Sequence, residues 1–254
     1  MTDFSAFSLA GNRVLVTGAN TGIGQGICVA IAKAGGEVIG VGRSAMDETA
    51  ALVKAEDAMF TPVDSDLSDH VAAVSMLDRV WETVGPIDGL VNNAGIIRRA
   101  DSVDFSETDW DDVMDVNLKS VFFLCQAFAK KALFAGRSGK IVNIASVLSF
   151  QGGIRVPSYT ASKHGVLGIT RLLACEWAAK GINVNAVAPG YVVTNNTAAL
   201  RADGERSAAI MSRIPAGRWG EASDIGGAVV FLLAPASAYM HGAVIPVDGG
   251  WLAR

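Results

Sequence analysis

Tyr159 and Lys163 stand four residues apart, and Ser146 precedes them in the chain. Residues i and i+4 share a face of a helix, so a helix here sets a phenol beside an ammonium. A free tyrosine titrates near 10 and is a poor base at neutral pH. A neighbouring cation favours the phenolate. Lowering that pKa by about three units requires about 4 kcal/mol, which one or two close positive charges in a partly desolvated cleft can supply. The pair can then take a proton from a hydroxyl or return one to a carbonyl oxygen, which is general acid–base chemistry. By itself Tyr-x-x-x-Lys is a weak signal, because most such pairs merely share a helix face.

A second signal lies near the start of the chain. A β-branched run ends in Thr17-Gly18-Ala19-Asn20-Thr21-Gly22-Ile23-Gly24 and leads into a helical pattern. Glycines there let the backbone turn sharply and let a pyrophosphate come close. The helix start offers free N–H groups and a positive dipole end. The spacing is G-x-x-x-G-x-G rather than the commoner G-x-G-x-x-G. A dinucleotide's ribose is selected at the end of the second strand, where the chain reads Val41-Gly42-Arg43-Ser44. No acid stands there to accept from ribose hydroxyls, and Arg43 could pair with a 2′-phosphate. Asp66, followed by Leu67, could accept from an adenine amino group. Asn92-Asn93-Ala94-Gly95 follows a fourth strand, at the edge of a sheet where a ligand crevice is expected.

The elements that must position these residues alternate. Strands are expected at 13–17, 37–41, 59–63, 88–91, 140–145, 182–188 and 243–247. Helices are expected at 22–34, 68–84, 106–135 (one or two), 158–180 and 221–233. The strands are almost wholly apolar, as strands buried on both faces should be. Strand–helix alternation implies a parallel sheet with right-handed crossovers. The expected fold is α/β: a Rossmann-like, doubly wound parallel sheet of about seven strands with helices on both faces. Residues 1–254 read as one domain. The polar stretch 191–213 interrupts the rhythm and reads as a substrate lid.

Bulk properties fit this frame. The 254 residues are 50% hydrophobic and 18% charged, which excludes disorder. The net charge of −4 and the lack of a basic stripe argue against a nucleic-acid partner. No apolar run is long enough to span a bilayer, and the start of the chain does not have the order of an export signal. Cys28, Cys125 and Cys175 are scattered and suggest reduced core thiols in a cytoplasmic protein. His70, His164 and His241 have no ligand-spaced partners, so no metal site is expected.

Taken together, Thr17–Gly24, Asn92–Gly95, Asn117, Ser146, Tyr159, Lys163 and Pro189-Gly190 resemble the short-chain dehydrogenase/reductase family over nearly the whole chain. The resemblance implies hydride transfer between a nicotinamide dinucleotide and a carbonyl or alcohol carbon. It implies that Ser146 orients the reacting oxygen and Tyr159 is the acid–base. Lys163 would also hold the nicotinamide ribose, and Asn117 would anchor a water relay. It assigns Gly18, Asn20, Thr21, Gly22, Ile23, Gly24, Asn93, Ala94, Gly95, Pro189, Gly190, Val192 and Thr194 to the cofactor. A homotetramer built on the helices near 106–135 and 158–180 is implied, with Phe128 and Trp177 as either interface or core.

Within that family, the stretches 92–101, 149–159, 189–197, 213–219 and 247–254 resemble the 2-dehydro-3-deoxy-D-gluconate 5-dehydrogenases of pectin and uronate breakdown. That resemblance implies a sugar-acid substrate and favours NAD(H), with NADP(H) the alternative that Arg43 would suit. A carboxylate needs a cation and the hydroxyls need polar groups. Arg98, Arg99, Arg155 and Arg201 are candidates for the first, with Arg155 preferred because it lies just before Tyr159. Gln151, Asn195 and Trp251 are candidates for the second. The rival readings are a 3-oxoacyl carrier-protein reductase, another polyol or hydroxy-acid dehydrogenase, and a non-catalytic dinucleotide sensor. The sensor would be expected to have lost Tyr159 or Lys163.

Overall fold

The computed structural model describes residues 4–254; residues 1–3, part of the stretch read above as no export signal, lie outside the described residues. The strands are β1 (Arg13–Thr17), β2 (Glu37–Gly42), β3 (Phe60–Asp64), β4 (Gly89–Asn92), β5 (Gly139–Ile144), β6 (Ile182–Pro189) and β7 (Val244–Val247). Among the described residues they form one seven-stranded sheet in the order β3-β2-β1-β4-β5-β6-β7. Each neighbouring pair runs parallel. The direction of winding reverses between β1 and β4. In such sheets the ligand crevice opens at the carboxyl ends of the strands at this reversal.

Strand side chains alternate faces, and the core divides accordingly. Leu15, Ile39, Leu90 and Ile141 join Met76, Leu77, Phe128 and Trp177 in one buried cluster. Their neighbours Val14, Val16, Val38, Val91 and Val142 join Ile27, Ile31, Ile225 and Val229 in a second. The first cluster is covered by α3 (His70–Thr83), α5 (Ser120–Phe134) and α6 (Pro157–Trp177), and the second by α1 (Gly22–Lys33) and α9 (Ala222–Leu233). Phe128 and Trp177 are therefore core residues of this chain. Cys28 and Cys125 are buried and free, and burial pushes both thiols up to about 12. Cys175, expected in the core, is exposed on α6.

Two stretches, 47–54 and 191–213, depart from the sequence expectation. Helix α2 (Asp47–Lys54) was not anticipated, because it buries only Thr49 and Val53 and so has little periodic signal. The expected helix at 106–135 is α4 (Glu107–Met114), a π turn at Asp115–Lys119, and α5. The stretch 191–213 is largely helical: a 3-10 turn at Asn195–Thr197, α7 (Ala198–Ala202) and α8 (Gly204–Met211). Strand β3 carries Pro62, which an edge strand tolerates. Among the described residues, no helix is long and apolar enough to cross a membrane. Nor does any group of three or more His, Cys, Asp or Glu among them have the arrangement of a metal site.

Candidate active site

The turn after β1 is held in shape from several sides. Gly18 and Gly22 have positive φ, at 67° and 56°. A Cβ on Gly24 would fall 1.9 Å from the carbonyl oxygen of Gly18, so the helix start and the strand end touch backbone to backbone. Asn93 Nδ2 donates to the carbonyls of Thr17 (2.9 Å) and Gly18 (3.2 Å). Thr17 Oγ1 in turn accepts from the amides of Asn93 and Ala94, both at 3.0 Å. Thr49, on the unanticipated α2, donates to Ala19 O at 2.9 Å and accepts from Gln25 Nε2 at 3.2 Å. Thr49 thus buttresses the turn, and nothing in its sequence context marks it.

A cleft of about 240 Å³ opens over this turn. Its walls are Gly18, Asn20–Gly24, Asn93–Gly95, Ile144–Ser146, Tyr159, Lys163, Pro189, Gly190, Val192 and the loop Thr194–Thr197. Ser146 lies two residues beyond β5, while Tyr159 and Lys163 lie two and six residues into α6, whose first residue Pro157 suits a helix start. The sequence-predicted phosphate turn and catalytic trio therefore meet in one crevice.

Lys163 is buried, with Nζ donating to Ile144 O at 2.7 Å and lying 5.6 Å from the centre of the Tyr159 ring. Burial pulls its pKa down from 10.5 to about 8. Burial also raises the Tyr159 phenol above its usual value, against opposing pulls from the Ser146 hydroxyl and the charge of Arg99. The sequence reading expected the lysine to make the phenol acidic. Instead, desolvation dominates both groups, and the lysine's hydrogen bond goes to the backbone. Ser146 Oγ accepts from Leu148 N at 3.1 Å and caps the short turn Val147–Ser149.

Asn117 is fully buried in the π turn. Its side chain accepts from Ile96 N (2.8 Å) and donates to Ile96 O (2.9 Å), pinning the strand exit after Gly95. Arg43 and Asp66, at the ends of β2 and β3, face each other at 3.5 Å and are both exposed. Asp66 also accepts from Ser68 N at 2.9 Å, which is the main reason its pKa is lowered. Leu67 is buried and its carbonyl accepts from Ser120 Oγ. Asn20 Nδ2 ties the turn to Ser44 Oγ at 2.7 Å.

The candidate carboxylate partners separate. Arg155 pairs with Asp101 at 3.1 Å on an exposed loop and does not line the cleft, and neither does Gln151. Arg98 is taken by Asp109 and Asp112. Arg201 donates to Thr194 O at 3.2 Å. Arg99 has no acid partner among the described residues. It donates at 2.8 Å to the carbonyl of Asn196, a residue of the cleft wall, and its charge couples to Tyr159. Asn195 lines the cleft, whereas Trp251 is buried away from it.

A parallel sheet with a glycine-shaped phosphate cradle at its winding reversal, and a serine, tyrosine and lysine beside it, defines a dinucleotide-dependent oxidoreductase. Comparison with known proteins narrows this. A family model described as enoyl-(acyl carrier protein) reductase matches residues 18–252. The 2-dehydro-3-deoxy-D-gluconate 5-dehydrogenase of Escherichia coli (strain K12) is 57% identical over 250 residues, covering 98% of this chain and 99% of that protein. A crystal structure from Agrobacterium tumefaciens with bound NADP, assigned as a 2-deoxy-D-gluconate 3-dehydrogenase, superposes with a TM-score of 0.94 at 63% identity, covering 98% of this chain and 99% of that one. A gluconate 5-dehydrogenase from Burkholderia cenocepacia J2315, in complex with NADP and tartrate, superposes with a TM-score of 0.93 at 36% identity, covering 98% of each chain. The chain belongs to the short-chain dehydrogenase/reductase family of oxidoreductases.

Proposed function

We propose that this protein is an NADP(H)-linked sugar-acid dehydrogenase that interconverts 2-dehydro-3-deoxy-D-gluconate and its 2,5-diketo form, as in uronate breakdown. The observation that carries the reading is the convergence of Ser146, Tyr159 and Lys163 on the cleft above the glycine turn, with Arg99 bonded to Asn196 in its wall. The names of three relatives at 53–57% identity support the substrate class. NADP(H) replaces the NAD(H) preference expected from sequence. Both structural relatives described above hold NADP; Gly42 stands where an acid would be needed for an unphosphorylated ribose, and Arg43 follows it.

The residues fit a dinucleotide. Gly18 and Gly24 have no room for a Cβ against Asn93, Ala94 and the Gly18 carbonyl, and Gly22 has positive φ, so the turn keeps the bare backbone that a pyrophosphate approaches. Asn20, Thr21, Ile23, Asn93, Ala94, Gly95, Pro189, Gly190, Val192 and Thr194 line the path beyond it, and Asp66 and Leu67 flank the adenine end. When bound, the cofactor supplies or accepts the hydride. Ser146 hydrogen-bonds the reacting oxygen. Tyr159, held as a neutral phenol by burial, gives its proton to that oxygen in reduction and takes it back in oxidation. Lys163 supplies positive charge beside the phenol and a donor for the ribose. Asn117 spends its side chain on Ile96, so its main chain in the π turn carries the proton relay. π turns of this kind recur at functional sites.

Arg99, rather than Arg155, holds the substrate carboxylate. The stretch 191–213 acts as the lid of a single domain spanning residues 1–254. A carrier-protein substrate is disfavoured, because Arg98 is already neutralised by Asp109 and Asp112. The assembly is a homotetramer that covers exposed apolar side chains on α4, α5 and α6, among them Trp110, Leu133 and Leu172. Light scattering after size exclusion tests that mass. The activity test is a panel of keto-sugar acids and uncharged ketoses with NADPH and NADH, followed by loss of the reduced nicotinamide absorbance. Turnover confined to the uncharged compounds would overturn the substrate assignment.

A further inference from the structure

The stretch from Tyr191 to Gly220 leaves the sheet and returns to it through a narrow neck. Gly220 N donates to Tyr191 O (2.9 Å) and Val193 N donates to Gly220 O (2.8 Å). The chain's last residues fasten the far side. Gly249 and Gly250 both have positive φ, and the Asp248 carboxylate accepts from the amides of Gly250 (2.8 Å) and Leu252 (2.9 Å). This folds the tail back onto the excursion. Ala216 N donates to Gly249 O at 3.0 Å, and Arg254 Nη2 donates to Ser212 O at 2.7 Å. A Cβ on Gly249 would fall 2.9 Å from Ile214 Cγ2, so the bare backbone of Gly249 lies directly against the Ile214 side chain.

Trp251 is the centre of this contact. Only 3% of it is exposed, and it shares a buried cluster with Val147, Ile210 and Ile214. Its ring lies 4.7 Å from the Tyr191 ring, and the Arg213 guanidinium lies 4.0 Å from its centre. Tyr191 meets Trp219 edge-on at 5.6 Å. The indole Nε1 is buried without a hydrogen-bond partner among the described residues, so the ring is held for its shape and faces rather than for its donor. Val147 follows Ser146 directly, and Ile210 lies on α8. One side chain thus joins the turn that follows Ser146 to α8, part of the segment whose first turn, Asn195–Thr197, lines the cleft.

We propose that Trp251 is a positioning residue that fixes the 191–213 segment over the cleft and thereby sets affinity for the sugar acid, with little part in cofactor binding or in the proton transfer. The inference rests on the substrate reading above. Its physical basis is that a cation over one ring face and an aromatic neighbour hold a flat side chain in one orientation. Its neighbours on α8 then inherit that orientation.

The test compares wild type with Trp251→Phe, Trp251→Leu and Trp251→Ala by two readouts. The first is the rate of tryptic cleavage at Arg201, Arg206 and Arg213, which needs no substrate and reports opening of the segment. The second is KM and kcat for the keto-sugar acid with NADPH, beside the Kd of NADP. Trp251→Ala should speed cleavage and raise KM about tenfold or more, as small misplacements can. Its kcat and NADP Kd should stay within about twofold. Trp251→Phe should stay near wild type in both readouts. Trp251→Leu keeps an apolar filler beside Ile210 and Ile214 and should fall between, which preserves the test if the alanine variant does not fold. The inference fails if the leucine and alanine variants leave cleavage and KM unchanged. It fails equally if NADP binding is lost in step with KM, or if Trp251→Phe raises KM as much as alanine, which would make Nε1 a direct substrate donor. If wild type turns over no sugar acid, the substrate reading falls, and the cleavage readout alone judges the role of Trp251.

Discussion

The ammonium of Lys163 lies 5.6 Å from the centre of the Tyr159 ring, yet gives its hydrogen bond to the carbonyl of Ile144. The two groups share the cleft, but the phenol is raised by burial rather than acidified by the lysine. A phenol in that state is a proton donor first. The site is therefore poised for carbonyl reduction at neutral pH, and the oxidative direction should gain as pH rises toward the phenol's own titration.

Removing the phenolic proton should stop the chemistry without disturbing the cleft. Tyr159→Phe keeps the ring and loses only the hydroxyl. A positioned acid–base is worth about a hundred- to ten-thousand-fold in rate, so kcat should fall by that order while NADP titration by fluorescence is unchanged. A variant that retains near-normal turnover would remove Tyr159 from the mechanism.

The structure also separates arginines that looked alike in sequence. Arg155 is held by Asp101 on an exposed loop, an ion pair that contributes at most about 1 kcal/mol. Arg99, among the described residues, has the Asn196 carbonyl and no acid as partner. A charge-assisted hydrogen bond contributes about 1.5–3 kcal/mol. Arg99→Ala should therefore raise KM for a keto-sugar acid by roughly ten- to a hundred-fold, and for an uncharged ketose very little. Arg155→Ala should leave both near wild type. Steady-state kinetics on the two substrates decide the matter, and a reversed ranking would return the carboxylate to Arg155.

Cofactor choice follows from the end of β2. Arg43 is solvent-exposed and loosely paired with Asp66 at 3.5 Å, so it can exchange that partner for a phosphate. Arg43→Ala should weaken NADPH by about tenfold or more, the loss expected for one charge-assisted contact, and leave NADH nearly unchanged. Equal effects on both cofactors would show that Arg43 only neutralises Asp66.

The fold was legible because its signals are periodic or covalent. Strand β1 ends where its β-branched run ends, at Thr17, and α6 begins at a proline. The candidate catalytic pair was legible less from its spacing, a weak signal alone, than from the joint family resemblance of Tyr159 and Lys163 with Ser146 and the glycine turn. What escaped was set by tertiary contact. Thr49 supports the phosphate turn from a helix with two buried residues, too few for a pattern. The π turn around Asn117 is fixed by hydrogen bonds to Ile96, twenty-one residues away in sequence. Proximity to Tyr159 in sequence favoured Arg155, but a left-handed backbone at that residue, with φ of 62°, lies in a loop whose side chain pairs with Asp101. The Trp251 contact depends on the last residues folding back across the chain, which no local pattern encodes.

The buried lysine makes a prediction about stability. Burial lowers the Lys163 pKa from 10.5 to about 8. Below pH 8 the ammonium is protonated in both folded and unfolded chains, and the folded state carries the full penalty of desolvating it. Between pH 8 and about 10.5 the unfolded chain binds the proton more tightly, so folding stability rises with pH across that window. Lys163→Met removes the titration and keeps a similar apolar stem. It also leaves Ile144 O without its donor, a loss that does not vary with pH. The stability of wild type relative to Lys163→Met should therefore climb between pH 8 and 10.5, by at most about 3 kcal/mol. Urea unfolding of both proteins across that range measures it. Tyr159, Cys28 and Cys125 are present in both and cancel. A difference that stays flat with pH would mean the ammonium is solvated in the folded protein, and its place beside the phenol would then carry far less electrostatic weight.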